Sequence, residues 1–350
     1  MKKLKKLNFK KKPETLPPRI TNETVAEHRE RILAGGRRFK YPVQYGRRKL
    51  VFNTVLISLA AILLTLLFGW WQLYVVQNSS TLAYQATRVL PLPVARVDGH
   101  DVRYSDYFMH YRSSIHFSEN IDGLDLDNED GQEMKSYFKR RSLDNAITEA
   151  YAEKLADELN VTVSQEEVDE LLKAHLEVDG QQVSPQAYAA AVDEQYGWSE
   201  EEYSRSLERQ LLRKKVSVAV DKKAESIKNQ LEKELSSDGS NFEEIAKKFE
   251  GQVELSAPGR VPNGNTDGGQ ARAALGLQPG KVSAPFVSRG IDGYYFIKLL
   301  DKTDSEVNYI SIKVPLTQLN TQLQAIKKDG KIKEYIKVAE VEGQVSTEEE

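Results

Sequence analysis

Side chains able to do chemistry are sparse in this chain, and their spacing excludes more than it suggests. There is no cysteine among the 350 residues, which removes thiol catalysis, disulfides and thiolate metal sites. The five histidines, His28, His100, His110, His116 and His175, lack the i, i+4 pairing and flanking carboxylate of a helical zinc site. No metal or cofactor is expected. The acidic stretch Asp122 to Glu133 resembles a calcium loop in composition only: counted from Asp125, the sixth position is Asp130 rather than glycine and the twelfth is Ser136. A solvated loop is the simpler reading. Arg209, Arg213, Lys214 and Lys215 form a basic cluster that reads as a charged helix flank. No nucleophile elbow, phosphate loop or dinucleotide fingerprint occurs, so hydrolase and nucleotide-enzyme readings have nothing to stand on.

Charge is distributed unevenly along the chain. Residues 1–49 hold 16 Lys and Arg against four Glu, whereas the remainder holds 33 basic and 48 acidic residues. Between the halves, Leu50 to Val76 is uncharged, and its 27 residues span about 40 Å as a helix, enough for a hydrocarbon core of about 30 Å. Arg47, Arg48 and Lys49 abut its start and Gln77 to Ser80 its end, which predicts a cytoplasmic N-terminus and an extracytoplasmic remainder. Trp70, Trp71 and Tyr74 would form the outer aromatic belt. The run is too long and too far from the N-terminus for a cleaved leader, so a signal anchor in the cell's inner membrane is expected. The lysine- and proline-rich tail 1–49 predicts no fold of its own and no nucleic-acid role, and 77–91 reads as a polar linker.

The outer half predicts an α+β fold. Residues 93–104 alternate around Asp98-Gly99, a hairpin signal, and a helix follows from Ser105. Apolar residues from Met134 to Leu159 recur at helical spacing and stop at Asn160. Ser164-Gln-Glu-Glu167 and Ser199-Glu-Glu-Glu202 are capping boxes. The apolar stripe after the second persists from Tyr203 to Leu235, one long helix on this reading. Ser240 would cap a short helix to Phe249, and Pro258 to Gly269 reads as a loop. Lys281 to Ser288, Gly293 to Leu300 and Val307 to Val314 have strand composition. A helix carrying Leu316, Leu319, Leu323 and Ile326 on one face precedes an acidic tail.

Several of these segments together resemble a known family. PVARVDGHDVRYSDY from Pro93, LDNAITEAYAEKLADELNVTVSQEEVDELL from Leu143 and YGWSEEEYSRSLERQLLRKKV from Tyr196 resemble the N-terminal chaperone region of the SurA, PrsA and PpiD-like periplasmic foldases. The likeness covers about residues 92–220. A weaker likeness to a parvulin prolyl isomerase domain follows, in GSNFEEIAKKF from Gly239, Asp267-Gly-Gly269, LQPGKVS from Leu277 and GYYFIKL from Gly293. Parvulins carry a histidine on the first strand, another on the last, and an aromatic proline pocket. Here no histidine follows His175, Tyr295 occupies the last-strand position, and the pocket aromatic falls on Gln270 or Ala271. The family's first strand has no counterpart before Ser240, so Val307 to Val314 is predicted to pair antiparallel with Gly293 to Leu300.

The charge pattern, the apolar run and the resemblance together predict a basic tail 1–49, a transmembrane helix 50–76, a linker 77–91, and a SurA-like helical chaperone domain 92–235. A degenerate parvulin-like α/β domain 236–303, a C-terminal strand and helix 304–342 and an acidic tail 343–350 complete the chain. The implied partners are unfolded or nascent secreted polypeptides, held in a shallow apolar groove between helices 131–159, 164–175 and 199–234, with helix 316–328 packing back. An active isomerase would use Tyr295 as hydrogen-bond donor to the substrate carbonyl, with Phe286 and Leu277 binding the substrate. Because prolyl isomerisation crosses about 20 kcal/mol through a pocket and a twisted amide, loss of the pocket aromatic argues against it. A non-catalytic envelope scaffold is the remaining alternative.

Overall fold

The computed structural model describes residues 21–40, 42–178, 181–237, 241–265 and 267–340. The expected caps at Ser240 and the tails 1–20 and 341–350 lie outside them. Two units are present, residues 1–70 and 71–350.

In the first unit, α1 runs from Asn22 to Lys40, so this part of the tail is helical and not fold-free as expected. Its Glu, Arg and Ala residues favour helix, and Thr21, whose hydroxyl accepts from the Thr24 amide, starts it. Helix α2, Pro42–Tyr74, contains a stretch, Lys49–Tyr74, that is long and apolar enough to cross a membrane. From Leu50 to Trp71 its apolar side chains are exposed all round. The hydroxyls of Thr54 and Thr65 donate to the Leu50 and Ala61 carbonyls at 2.8 and 2.9 Å, satisfying polar groups that hydrocarbon would not.

The second unit is α+β. After α3 (Thr81–Val89) come the hairpin β1 (Pro93–Val97) and β2 (His100–Arg103), then α4 (Tyr104–Asn120) and α5 (Glu129–Leu159). Asp98 and Gly99 both take positive φ, 44° and 88°, as a tight two-residue turn requires. Asn160, in left-handed conformation, ends α5 at the expected place. Helices α6 (Gln165–Leu176), α7 (Pro185–Tyr196) and α8 (Glu200–Val220) follow, with the short pair β3 (Glu177–Val178) and β4 (Gln181–Gln182) between the first two. Both capping boxes form. Tyr104, Tyr107, Phe108 and Tyr111 of α4 pack on Leu143, Ile147 and Tyr151 of α5 as the main core.

The long stripe after Ser199 is not one helix. Asp221 breaks it, and α9 (Lys222–Ser237) restarts beyond. One Asp221 oxygen accepts from the Ala224 amide at 3.0 Å, and the other accepts from the Thr317 and Gln318 amides at 2.9 and 3.1 Å. A single buried carboxylate therefore caps α9 and the start of α12 (Gln318–Lys328) together. Helix α10 (Phe242–Lys248) precedes β5 (Glu254–Pro262), α11 (Gln270–Leu275), β6 (Phe286–Val287), β7 (Gly293–Lys302) and β8 (Glu306–Pro315).

These strands form one antiparallel sheet in the order β5-β8-β7-β6. Val307 to Val314 pairs antiparallel with β7 as expected, with Ile297 opposite Ser311. Tyr294, Phe296, Ile312 and Val314 face α9 and α10, and Tyr295, Ile297, Leu299 and Tyr309 face α11. Strand β5 corrects the loop expected from Pro258. As the outermost strand it tolerates Pro258 and Pro262, whose missing N–H groups would break an inner ladder, and a bulge lies between Ser256 and Gly259.

Helix α12 returns to the first core, burying Leu319 and Ile326, and β9 (Ile332–Glu334) pairs with β1. The segment 77–91, expected as a linker, contains α3. Ser80 caps it, and Tyr84 and Thr87 are buried. The Tyr84 hydroxyl donates to Glu202, and Arg88 pairs with Glu201 at 2.9 Å.

A candidate peptide-binding cleft

Two walls of the second unit enclose a cleft of about 1410 Å³. The helical wall presents His175 from α6, Tyr188 and Tyr196 from α7, and Tyr203 from α8. The opposite wall is Pro262 to Asn265, Asp267 to Gly269, the segment Ser288 to Gly290, and Tyr295.

Local sequence sets the helical wall. Ser184 caps α7 with Pro185 in the first turn, and Gly197, at φ 65°, turns the chain so that α8 begins three residues later. A β-carbon at 197 would stand 2.9 Å from the His116 ring, so glycine is required there twice over. Tyr196 stacks on Trp198 with ring centroids 5.0 Å apart. The Tyr203 hydroxyl sits 2.6 Å from the Tyr188 hydroxyl and 2.8 Å from His175 Nδ1, a continuous polar chain. Burial, with Arg289 and Arg272 adding positive field, pushes the His175 imidazole below its ordinary value of 6.5, favouring the neutral ring. Burial and the Tyr188 hydrogen bond push the Tyr203 phenol up.

Carboxylates organise the opposite wall. Asp267 accepts from the Ala271 amide at 3.0 Å and from the Tyr309 hydroxyl at 2.6 Å. It thereby fixes Gly268 and Gly269, both at positive φ, ahead of α11. Asp292 accepts from the Tyr295 hydroxyl at 2.8 Å, from Lys313 at 3.0 Å and from the Ser288 hydroxyl. Burial raises the Asp292 carboxyl, but these hydrogen bonds outweigh it and hold it below the usual range. Ile291, between these groups, has φ 61°, a backbone state costly for a β-branched residue. Asn263 donates to the Asp304 carbonyl at 2.8 Å while its side-chain oxygen is buried without a partner among the described residues.

Of the residues implicated by sequence, Tyr295 lines the cleft, Phe286 stacks beside it at 6.0 Å, and Leu277 packs in the same apolar cluster. Sequence reasoning missed His175, Tyr188 and Asn263. The first two stand on separate helices with Tyr203 between them only in space, and only the Tyr196-Gly197-Trp198 turn gave a local signal. Helix α12 packs back onto α5 and α8, as expected. Its Leu319, Leu323 and Ile326 pack into the main core. Exposed apolar surface lies at the far ends of α4 and α5. There Phe117, Leu124, Met134, Phe138 and Trp198 line a second depression of about 500 Å³, and Tyr196 borders both.

The basic cluster is also corrected. Arg209 is buried, with Nη2 2.5 Å from Asp106, Nη1 3.2 Å from Glu149 and Nε 3.6 Å from Glu153. His110 holds the other Glu149 oxygen at 2.9 Å. Burial pushes the Glu149 carboxyl up, but His110 and Arg209 prevail and hold it below the usual range. This is a structural clamp between α4, α5 and α8.

Residues 47–217, from the apolar helix through nearly all of α8, match the SurA-like N-terminal domain. No curated protein matches the chain. The match supports a SurA-like chaperone region and, with it, a chaperone-type role.

Proposed function

We propose that the protein is a membrane-anchored, extracytoplasmic chaperone that binds extended segments of unfolded secreted or envelope proteins in the cleft between its helical and β walls. Helix Lys49–Tyr74 is its anchor, with the N-terminus cytoplasmic. The observation that carries the reading is the cleft, an open trough bordered by Tyr188, Tyr196 and Tyr203 and by a neighbouring apolar depression. Such a surface suits a peptide of unspecified sequence: rings take apolar side chains, and fixed polar groups take backbone.

The parvulin-like lobe is structural on this account. Tyr295, the residue implied as donor to a substrate carbonyl, already donates its proton to Asp292. The full-length protein in nanodiscs is expected to suppress aggregation of several unrelated unfolded proteins while leaving Xaa-Pro isomerisation at its uncatalysed rate. Accelerated isomerisation that Tyr295→Phe abolishes would establish the enzyme instead. Protection of one protein alone would establish a scaffold.

A further inference from the structure

Helix α3 has two faces of different kind. Tyr84 and Thr87 are buried on the inner one, fixed through Glu202 and by Arg112, whose guanidinium donates to the Ser79 carbonyl at 3.0 Å. On the outer face, Leu82 and Val89, seven residues and two turns apart, are 79% and 81% exposed, with the exposed Ala86 between them. Leu90 follows at 50%. Among the described residues nothing covers this stripe.

Its position supplies the occupant. The apolar helix ends at Tyr74, and the chain does not then leave it: the Asn78 amide donates to the Gln72 carbonyl at 2.9 Å and the Asn78 side chain to the Gln72 side chain at 3.0 Å. The start of α3 therefore stands beside the last turn of that helix. This last turn is itself built into the outer unit, since the Tyr74 hydroxyl donates to the Pro93 carbonyl at 2.8 Å and the Tyr104 hydroxyl to the Leu73 carbonyl at 2.6 Å. Exposed Val75 and Val76 continue the apolar surface from the helix towards α3. Lys337, whose carbonyl accepts from Gln77 at 2.7 Å, places an exposed ammonium nearby, suited to anionic headgroups.

We propose that α3 is a membrane seat, lying in the outer headgroup region with Leu82, Ala86 and Val89 in lipid, so that the outer domain rests on the bilayer and is not suspended from it. The proposal rests on reading Lys49–Tyr74 as a membrane span. At nine residues, about 14 Å, the helix is too short to cross and long enough to lie flat.

The absence of cysteine makes single-site labelling clean. Spin labels are placed at Leu63→Cys in the apolar helix, at Leu82→Cys and Val89→Cys on α3, and at Lys247→Cys on the exposed side of α10. The full-length protein is reconstituted in vesicles of phosphatidylcholine and phosphatidylglycerol. The labels at 82 and 89 are expected to match 63, relaxed by oxygen and protected from a water-soluble nickel chelate, while 247 shows the reverse. Nickel access at 82 and 89 with 63 protected overturns the seat and leaves the anchor standing. Nickel access at 63 removes the anchor and the seat with it. Protection at 82 with spin–spin broadening that disappears on dilution with unlabelled protein assigns the face to a second copy and also overturns the proposal.

Discussion

Arg209 shows how one residue can hold three helices. Its guanidinium is enclosed by Asp106 on α4 and by Glu149 and Glu153 on α5. Removing one partner from a buried ion cluster leaves the others uncompensated, at a typical cost of about 3–5 kcal/mol. Arg209→Met is therefore expected to lower the unfolding free energy from urea titration by that amount, and a change below about 1 kcal/mol would contradict the clamp. His175 makes a pH-dependent contribution. Its folded-state value lies below 6.5, so the unfolded chain binds the proton more readily and stability rises with pH up to about 6.5, then levels off. Comparing the wild type with His175→Asn between about pH 5.5 and about pH 7.5 should show an acid loss in the wild type that the variant lacks. Arg209 was read as a surface charge because its partners lie 56 to 103 positions away, beyond any local pattern. The Tyr196-Gly197-Trp198 turn was legible because everything that defines it is adjacent in sequence.

At the scale of elements, local chemistry predicted well where it was self-sufficient. Asp98-Gly99, the two capping boxes and Asn160 fix their turns and termini through bonds within four residues. Val307 to Val314 was placed on β7 by strand composition and the lack of any other candidate. Helix α3 was missed because nine residues with Thr, Gln and Arg among them show little periodicity, and its stability comes from Tyr84 and Thr87 packing on distant helices. Strand β5 was missed because its prolines and glycine are tolerable only at an edge, a fact of topology. The break at Asp221 was missed for a similar reason, since half of its capping role serves α12, some 96 residues on. Asp221→Ala removes caps from two helices and should cost about 1–3 kcal/mol. Hydrogen exchange should quicken at both helix starts; quickening in α9 alone would contradict the shared cap.

For the whole molecule, the C-terminal return decides which surface is left for function. Helix α12 and β9 close the helical core, joined by Arg140 of α5, which holds Glu334 of β9 at 2.8 Å. Arg140→Ala should free the C-terminal segment, seen as faster exchange in β9 and α12 with β7 unaffected. On the proposed reading, clients bind in the cleft and the adjoining depression, which that closure leaves open. The α+β class was legible from hydrophobic period, whereas the cleft was not, because it exists only where α6, α7 and α8 meet the loops of the sheet.

Site-directed photo-crosslinking tests the central claim most directly. A photoreactive residue at the exposed cleft position Arg289 and another at Lys247 are compared in the full-length protein, in nanodiscs, with an unfolded client. Crosslinks from 289, competed by a second unrelated unfolded protein and reduced about tenfold by Tyr188→Arg, are the result the account predicts. Equal labelling from both positions, or labelling from 289 that no second client competes, would contradict it.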